Sequence, residues 1–110
     1  MDQLQRTPTA FQERVYDGVR LVPRGTVPTY KSLGLAIGCG SSRAVGQALR
    51  RSPYAPDVPC HRVVSSDRRI GGFAGQSDGA EVERKRALLE AEGVVFGEDG
   101  RVAEELLFTF

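Results

Sequence analysis

The fold of this chain is decided by one stretch, TYKSLGLAIGCGSSRAVGQALRR, at residues 29–51. Thr29 can cap a short helix over residues 30–37, because its hydroxyl can accept a hydrogen bond from a free backbone N–H of the first turn. Glycines then end that helix, and a serine at position 41 or 42 can cap a second helix over residues 43–51. The stretch therefore predicts two short helices joined by a tight turn.

The second of these helices has an apolar face and a basic face. Its apolar positions are spaced to share one side: Ala44, Val45, Ala48 and Leu49. Its polar and basic positions can project from the other side: Arg43, Gln47, Arg50 and Arg51. Two short helices with a glycine-containing turn and a basic second helix are typical of a helix-turn-helix, whose second helix meets DNA. Short helix pairs are common in α-rich proteins, so this pattern alone does not decide the function.

The flanking sequence adds two longer helices and little extended structure. A helix capped by Thr9 runs to about Val22, and another spans residues 80–92 before Gly93. The first carries an apolar stripe of Phe11, Val15, Val19 and Val22, and in the last helix Glu81 and Lys85 have the spacing of an exposed i, i+4 ion pair. Val63-Val64 can form a short strand, and residues 94–103 can form a small hairpin. We expect one domain over residues 1–110, mainly α with short β-hairpins and winged-helix-like, with residues 1–8 as a loose leader.

Composition and charge narrow the class of protein. The 110 residues contain no apolar run of membrane-spanning length and no signal-peptide pattern at the N-terminus, so a reducing, cytoplasmic (or nuclear) compartment is expected. Residues 1–76 carry eleven Lys or Arg against five Asp or Glu, whereas residues 77–110 carry four against nine. A cationic N-terminal part favours a polyanionic partner, although an unevenly charged solvated surface explains it equally well.

One segment carries reactive side chains, VPCHRVV at residues 58–64. It places Cys60 beside His61, the only histidine, and next to Arg62, and such neighbours can lower the pKa of a thiol and activate it. Taken alone, a Cys-His pair is more often a buried structural cysteine beside a hydrogen-bonded histidine. One His and two separated Cys supply too few ligands for a Cys/His metal site. A cysteine-based phosphatase is disfavoured because position 66, where its phosphate-binding Arg would stand, is Ser.

The segment resembles the active-site signature of the O6-alkylguanine-DNA alkyltransferases, also called methylated-DNA–protein-cysteine methyltransferases. Four further segments are similar to landmarks of that family, in the same order and spacing. They are FQERVY from residue 11, PRGTV with the following Thr29-Tyr30, RAVGQA from residue 43, and LLEAEG from residue 88. The resemblance covers about residues 11–95.

The resemblance implies direct repair of O6-alkylguanine in double-stranded DNA, with no cofactor and no metal. Members of the family bind duplex DNA from the minor groove, rotate the damaged nucleotide out and transfer its alkyl group irreversibly to the cysteine that corresponds to Cys60. His61, acting through a water, and Glu92, which orients it, complete the implied catalytic set. The implied DNA-binding and base-flipping residues are Tyr30, Arg43, Ala44, Gly46, Arg50 and Arg62. The implied base pocket is formed by Pro59, Val63, Phe73 and Ala74.

The sequence departs from the family pattern in ways that leave an alternative open. Ser52 stands where the family usually has Asn, and residues 71–76 differ from the usual glycine-rich loop. The short length is similar to that of the alkyltransferase-like proteins, which bind O6-alkylguanine and recruit nucleotide excision repair proteins without transfer. Those proteins typically have Trp at the nucleophile position, whereas this chain has Cys60. A plain helix-turn-helix regulator is a third interpretation that leaves Cys60, His61 and Glu92 unexplained. We expect a monomer.

Overall fold

A computed structural model describes residues 7–54, 58–72 and 79–110. The described residues form four α-helices and two short 3-10 turns. The helices are α1 (Ala10–Arg20), α2 (Tyr30–Ala36), α3 (Ser42–Arg50) and α4 (Ala80–Ala91), and the 3-10 turns are Cys60–Arg62 and Glu104–Leu106. The predicted fold class is confirmed: the protein is mainly helical, and α2 and α3 form the helix-turn-helix.

The capping residues determine where the helices begin. Thr9 and Thr29 each form a reciprocal capping box with the third residue of the helix, and Ser41 Oγ accepts from the backbone N–H of Ala44 at 3.1 Å. Each helix ends one or two residues before its predicted end. In α1, the N–H of Val22 bonds to a carbonyl only three residues back, so the last turn tightens before the proline that follows.

A first core cluster lies between α1, α2 and α3. It contains Val15 and Val19 of the predicted stripe of α1 and most of the predicted inner face of α3, together with two valines that flank Cys60. Phe11 packs against this cluster, and Val22 is buried outside it. Its buried members are Val15, Tyr16, Val19, Leu33, Val45, Ala48, Leu49, Val58 and Val63. Burial of each Val or Leu side chain stabilises the fold by about 1.5–3 kcal/mol relative to exposure. Tyr16 also donates its hydroxyl to the carbonyl of Ala48 at 2.7 Å, which fastens α3 to α1.

A second core cluster lies under α4 and the C-terminal segment. Its buried members are Val27, Val64, Leu89, Val94 and Val102. Val63 belongs to the first cluster and Val64 to the second, because consecutive side chains of an extended segment point to opposite sides. The segment after Cys60 is therefore packed on both sides.

The predicted strands are reduced to single β-bridges. Thr29 pairs with Val64 in parallel and Phe96 pairs with Val102 in antiparallel, without a longer ladder in the described part of the chain. The hairpin expected at 94–103 stays this short because its backbone groups bond elsewhere. The N–H of Val102 bonds to Arg68 and the N–H of Val94 bonds to Leu89.

The ion pair expected between Glu81 and Lys85 is wrong. Glu81 bonds to Arg84 at 3.3 Å, three residues away, whereas the Lys85 side chain points inward and has 0% exposure. The inward direction follows from the position of Lys85 in α4, where it shares the buried face with Val82 and Leu89. No helix in the described ranges is long and apolar enough to cross a membrane.

Candidate active site

Cys60 begins a 3-10 turn that backbone hydrogen bonds hold in shape. Pro59 precedes the turn, and the N–H of Cys60 bonds to the carbonyl of Val58 at 2.8 Å. The N–H of Arg62 bonds back to Pro59 at 3.0 Å. The half-buried Cys60 side chain packs on the first core cluster beside Tyr30. The signature segment therefore presents a free thiol from a fixed backbone.

The thiol needs a base before it can act as a nucleophile. Burial raises the pKa of Cys60, and this effect exceeds the opposing effect of hydrogen bonds from the Ser52 side chain and from the backbone. The protonated thiol is therefore the resting form near neutral pH. Ser52, noted above as a departure from the family pattern, lies next to the nucleophile.

His61 and Arg62 both bind the carboxylate of Glu92. His61 Nε2 lies 2.8 Å from Oε2, Arg62 Nε lies 2.9 Å from Oε1, and Arg62 Nη2 lies 3.0 Å from Oε2. The three side chains are largely buried, with 9–15% of their side-chain surface exposed. Glu92 comes directly after α4, so the end of this helix brings the carboxylate to the 3-10 turn.

The electrostatics of this triad define the proton positions. Desolvation raises the pKa of Glu92, but hydrogen bonds from Arg62 and His61 together outweigh it and hold the pKa below its usual range. Because the carboxylate is ionised, it accepts the proton on His61 Nε2, which leaves Nδ1 of the neutral ring as an acceptor. His61 can therefore take up a proton at Nδ1 while Glu92 stabilises the resulting charge.

The predicted contact of Arg62 with DNA is at odds with its placement. Its guanidinium binds both oxygens of Glu92, and Nη1 donates to the carbonyl of Val22 at 2.8 Å. These partners lie inside the protein and use all three nitrogens. Arg62 is therefore placed to position Glu92, an arrangement that the sequence spacing did not reveal.

Tyr30 stands at the first position of α2, next to the signature segment. Its backbone N–H bonds to Val64 at 2.9 Å, and its hydroxyl donates to the carbonyl of Gly72 at 3.3 Å. Burial, with a smaller effect of Cys60, raises the pKa of Tyr30 to about 12. Tyr30 therefore keeps its proton and can serve as a hydrogen-bond donor in the site.

The exposed face of α3 lies on the same side as Tyr30. Arg43 and Arg50 are exposed, and among the described residues neither has an ion-pair partner. Ala44 and Gly46 are partly exposed on this helix. A Cβ added at Gly46 would meet only the Tyr30 ring, at an ordinary 4.0 Å, so packing within the protein does not require a glycine there.

Two of the four residues predicted to form the base pocket lie in the described part of the chain. Pro59 is half-buried beside Cys60, as a pocket residue should be. Val63 has 0% exposure and its side chain packs into the first core cluster, so its assignment to the base pocket stays a prediction. Phe73 and Ala74 lie outside the described residues.

Lys85 is a site residue that sequence analysis missed. Its ammonium group lies behind the signature segment and donates to the carbonyl of Val63 at 2.7 Å. Burial lowers the pKa of Lys85 to about 7. The signal that could have found this lysine is its spacing, because Lys85 lies three residues after Val82 and four before Leu89, on the apolar face of α4. Among the described residues, no three His, Cys, Asp or Glu side chains gather in a way that could hold a metal ion.

Comparison with known proteins finds a matching family model and similar proteins of known sequence and structure. Residues 10–94 match the family model "6-O-methylguanine DNA methyltransferase, DNA binding domain". A methylated-DNA–protein-cysteine methyltransferase of Methanothermobacter thermautotrophicus is 43% identical over 86 residues, which are 78% of this chain and 46% of that protein. The chain thus spans about half the length of the curated relatives it matches.

Two solved structures are similar over most of the chain. The Mycobacterium tuberculosis OGT in complex with DNA has a TM-score of 0.69 and 39% identity, covering 78% of this chain and 51% of that one. The S. pombe Atl1 in complex with damaged DNA containing O6-carboxymethylguanine has a TM-score of 0.75 and 30% identity. That match covers 91% of this chain and 95% of the other.

Proposed function

This chain belongs to the family of the 6-O-methylguanine DNA methyltransferases through its DNA-binding domain, and on that premise we propose that it repairs O6-alkylguanine by transferring the alkyl group to Cys60. The free thiol at Cys60 and the His61–Glu92 pair, 2.8 Å apart, are the observation that carries this proposal. They supply a nucleophile and a base that are adjacent in the 3-10 turn, and a carboxylate that orients the base.

The helix-turn-helix supplies the DNA contact in this proposal. Arg43 and Arg50 on the exposed face of α3 neutralise phosphates or enter the gap left in the base stack. Ala44 and Gly46 leave room for the helix to lie close to the minor groove. The damaged nucleotide rotates toward Tyr30 because the alkyl carbon cannot be reached inside the stack.

The chemistry then needs one proton transfer and one displacement. The Cys60 proton moves to His61 Nδ1 through a water, and Glu92 stabilises the imidazolium that forms. The thiolate forms a bond to the alkyl carbon while the carbon–O6 bond breaks, and the electron pair of that bond goes to the guanine. The guanine anion takes up one proton from water, and the Tyr30 hydroxyl turns from the Gly72 carbonyl to donate a hydrogen bond to the base. The thioether is not hydrolysed, so each molecule acts once.

A labelled-methyl experiment tests the proposal. A duplex with one O6-methylguanine, labelled in its methyl group, is incubated with the wild-type protein, with Cys60→Ala and with Cys39→Ala as the matched control. We expect up to one label per chain on the wild type and on Cys39→Ala, and none on Cys60→Ala. Transfer to a residue other than Cys60, or no transfer at all, would overturn the proposal.

The match to Atl1 over nearly its whole length favours a second candidate, lesion recognition without transfer. In that case the chain would bind O6-alkylguanine and recruit nucleotide excision repair proteins. The same experiment separates the two functions, because a lesion sensor would bind the damaged duplex more tightly than the undamaged one and move no label. Cys60 is the feature that makes transfer the first choice.

We also infer that the protein acts as a monomer on DNA in a reducing cytoplasmic or nuclear compartment. Both cysteines are free, and a nucleophilic thiol must stay reduced. Sedimentation of the protein–duplex complex and cell fractionation test these two points. A dimer on a single lesion, or a secreted protein, would contradict them.

A further inference from the structure

Lys85 is the only fully buried charged residue among those that the structure describes. An ammonium group removed from water costs several kcal/mol unless all of its protons find acceptors. A hydrophobic side chain of similar size at this position in α4 would avoid that cost. The presence of a lysine therefore calls for an explanation in terms of its partners.

The partners of Lys85 are three backbone carbonyls from two different segments. Nζ lies 2.7 Å from the oxygen of Val63, 2.6 Å from that of Ile70 and 3.1 Å from that of Gly72. An ammonium group has three donors and no acceptor, so these three bonds satisfy it completely. The Tyr30 ring adds a fourth contact, with its centroid 5.6 Å from Nζ.

The bonds from Lys85 to these three carbonyls connect the segment that carries Cys60 with the segment that binds the Tyr30 hydroxyl. Val63 lies three residues after Cys60 and its N–H bonds to the Cys60 carbonyl at 3.3 Å. Gly72 accepts from Lys85 and also accepts the Tyr30 hydroxyl at 3.3 Å. Through these bonds, one buried side chain fixes the distance between the nucleophile segment and the acceptor that holds the Tyr30 hydroxyl.

We propose that Lys85 is a positioning residue for the transfer reaction. It holds residues 70–72 and the Tyr30 hydroxyl at a fixed position relative to the Cys60 segment. Lys85 touches neither the thiol nor its base in this arrangement. The Cys60 turn keeps its own supports, the Arg62–Glu92 bonds and the bond from the Val64 N–H to Pro28 at 3.0 Å. Loss of Lys85 therefore disturbs the tyrosine side of the site and leaves thiol reactivity in place. This inference rests on the proposed function.

The test compares two reactions of the same thiol. Lys85→Met removes all three donors at similar volume, Lys85→Gln restores two donors without charge, and Arg84→Met is the control for loss of an exposed basic side chain on α4. We expect Lys85→Met to lower the single-turnover rate of transfer from the lesion duplex about 100-fold. The rate at which iodoacetamide alkylates Cys60, measured from the mass of the Cys60 peptide, should stay within about threefold of the wild-type rate. Lys85→Gln recovers part of the transfer rate, and Arg84→Met matches the wild type in both reactions.

A second measurement, which does not depend on transfer, tests whether Lys85 holds residues 70–72 in place. Amide hydrogen exchange of residues 70–72 becomes faster in Lys85→Met than in Arg84→Met, while exchange in α3 is unchanged. If Lys85→Met slows transfer and alkylation equally, the variant is generally destabilised and the proposal is overturned. The proposal is also overturned if Lys85→Met transfers at the wild-type rate and its amide exchange is unchanged. If the wild type transfers no label, the proposed function fails and the role of Lys85 in transfer fails with it, whereas the exchange experiment still decides whether Lys85 holds residues 70–72 in place. If Lys85→Met does not fold, the same comparisons are made with Lys85→Gln.

Discussion

Arg62 binds both oxygens of the Glu92 carboxylate, with Nε 2.9 Å from Oε1 and Nη2 3.0 Å from Oε2. This two-point contact fixes the plane of the carboxylate that also accepts His61 Nε2. The orientation of the imidazole therefore depends on an arginine that does not face the thiol.

The first prediction follows from this contact. Arg62→Met is expected to slow transfer to Cys60 about 100-fold, because His61 loses its fixed orientation. Affinity for a lesion duplex is expected to stay within about threefold of the wild type, since Arg62 lies inside the protein. Single-turnover kinetics and duplex titration check the two parts.

Arg69→Met is the matched control for Arg62→Met. Arg69 is about half exposed and pairs only weakly with Asp67 at 3.4 Å, so its loss should leave the transfer rate unchanged. A large loss of duplex affinity in Arg62→Met, with the transfer step intact, would instead restore a direct DNA contact for this residue.

The second prediction concerns acid stability. The pKa of Glu92 is lowered in the folded state, so its contribution to the free energy of unfolding is complete above the unfolded-state pKa, near 4.5. That contribution disappears as the pH falls through the lower folded-state pKa. Glu92→Gln should therefore be less stable than the wild type by about 2 kcal/mol at pH 7 and nearly equal to it at the acid end.

Urea unfolding at a series of pH values between neutral and strongly acidic measures this difference. Glu90→Gln, which removes an exposed carboxylate of α4, should differ from the wild type by less than about 0.5 kcal/mol. A difference for Glu92→Gln that stays constant with pH would show that the charge of the carboxylate does not stabilise the fold.

The third prediction separates stability from DNA binding. Gly46→Ala places a methyl group in ordinary contact with the Tyr30 ring and removes a glycine from the interior of α3, so the protein should gain about 1 kcal/mol of stability. The same methyl group occupies the face proposed to lie on DNA, and we expect about tenfold weaker duplex binding. Thermal unfolding measures the expected gain in stability, and duplex titration measures the expected loss of affinity.

Gly34→Ala is the internal comparison for Gly46→Ala. A Cβ at Gly34 would come within 2.7 Å of the Cys39 carbonyl, so this variant should lose stability. An unchanged duplex affinity of Gly46→Ala would mean that α3 approaches DNA through another face.

The fourth prediction concerns the attachment of α3 to α1. Tyr16→Phe removes the buried hydroxyl that bonds to Ala48 and should cost about 1 kcal/mol of stability. The loss stays modest because the Ala48 carbonyl also accepts the N–H of Arg51 at 3.1 Å. Urea unfolding measures the loss, and the transfer rate of the folded protein should not change. A slower transfer step would show that this bond also orients α3 on DNA.

Local signals predicted much of the fold. The caps at Thr9, Thr29 and Ser41 and the apolar stripe of α1 depend on residues within one or two turns of each other, so the sequence displays them directly. The expected hairpin at 94–103 is reduced to the single bridge between Phe96 and Val102, because the N–H of Val102 bonds to Arg68, which is distant in sequence. A local pattern cannot reveal a competing partner of that kind.

The site shows the same division. Cys60 and His61 were singled out by their adjacency in the sequence and Glu92 by resemblance to a family, and the structure brings His61 and Glu92 together. The buried contacts of Lys85 were missed although its spacing places it on the apolar face of α4. Those of Arg62 were missed because a basic side chain in a sequence gives no sign of whether it faces solvent, DNA or the interior of its own protein. Only the packing of α4 against residues 58–72 decides this.

Because Val63 and Val64 belong to different core clusters, they affect how the protein unfolds. The segment that carries the nucleophile lies between the two clusters and contributes one valine to each. Neither cluster can therefore unfold without exposing one of these side chains. The two clusters should therefore unfold as one cooperative unit, and native-state exchange should give residues 63 and 64 the free energy of global unfolding. The reactive segment is then as persistent as the fold itself.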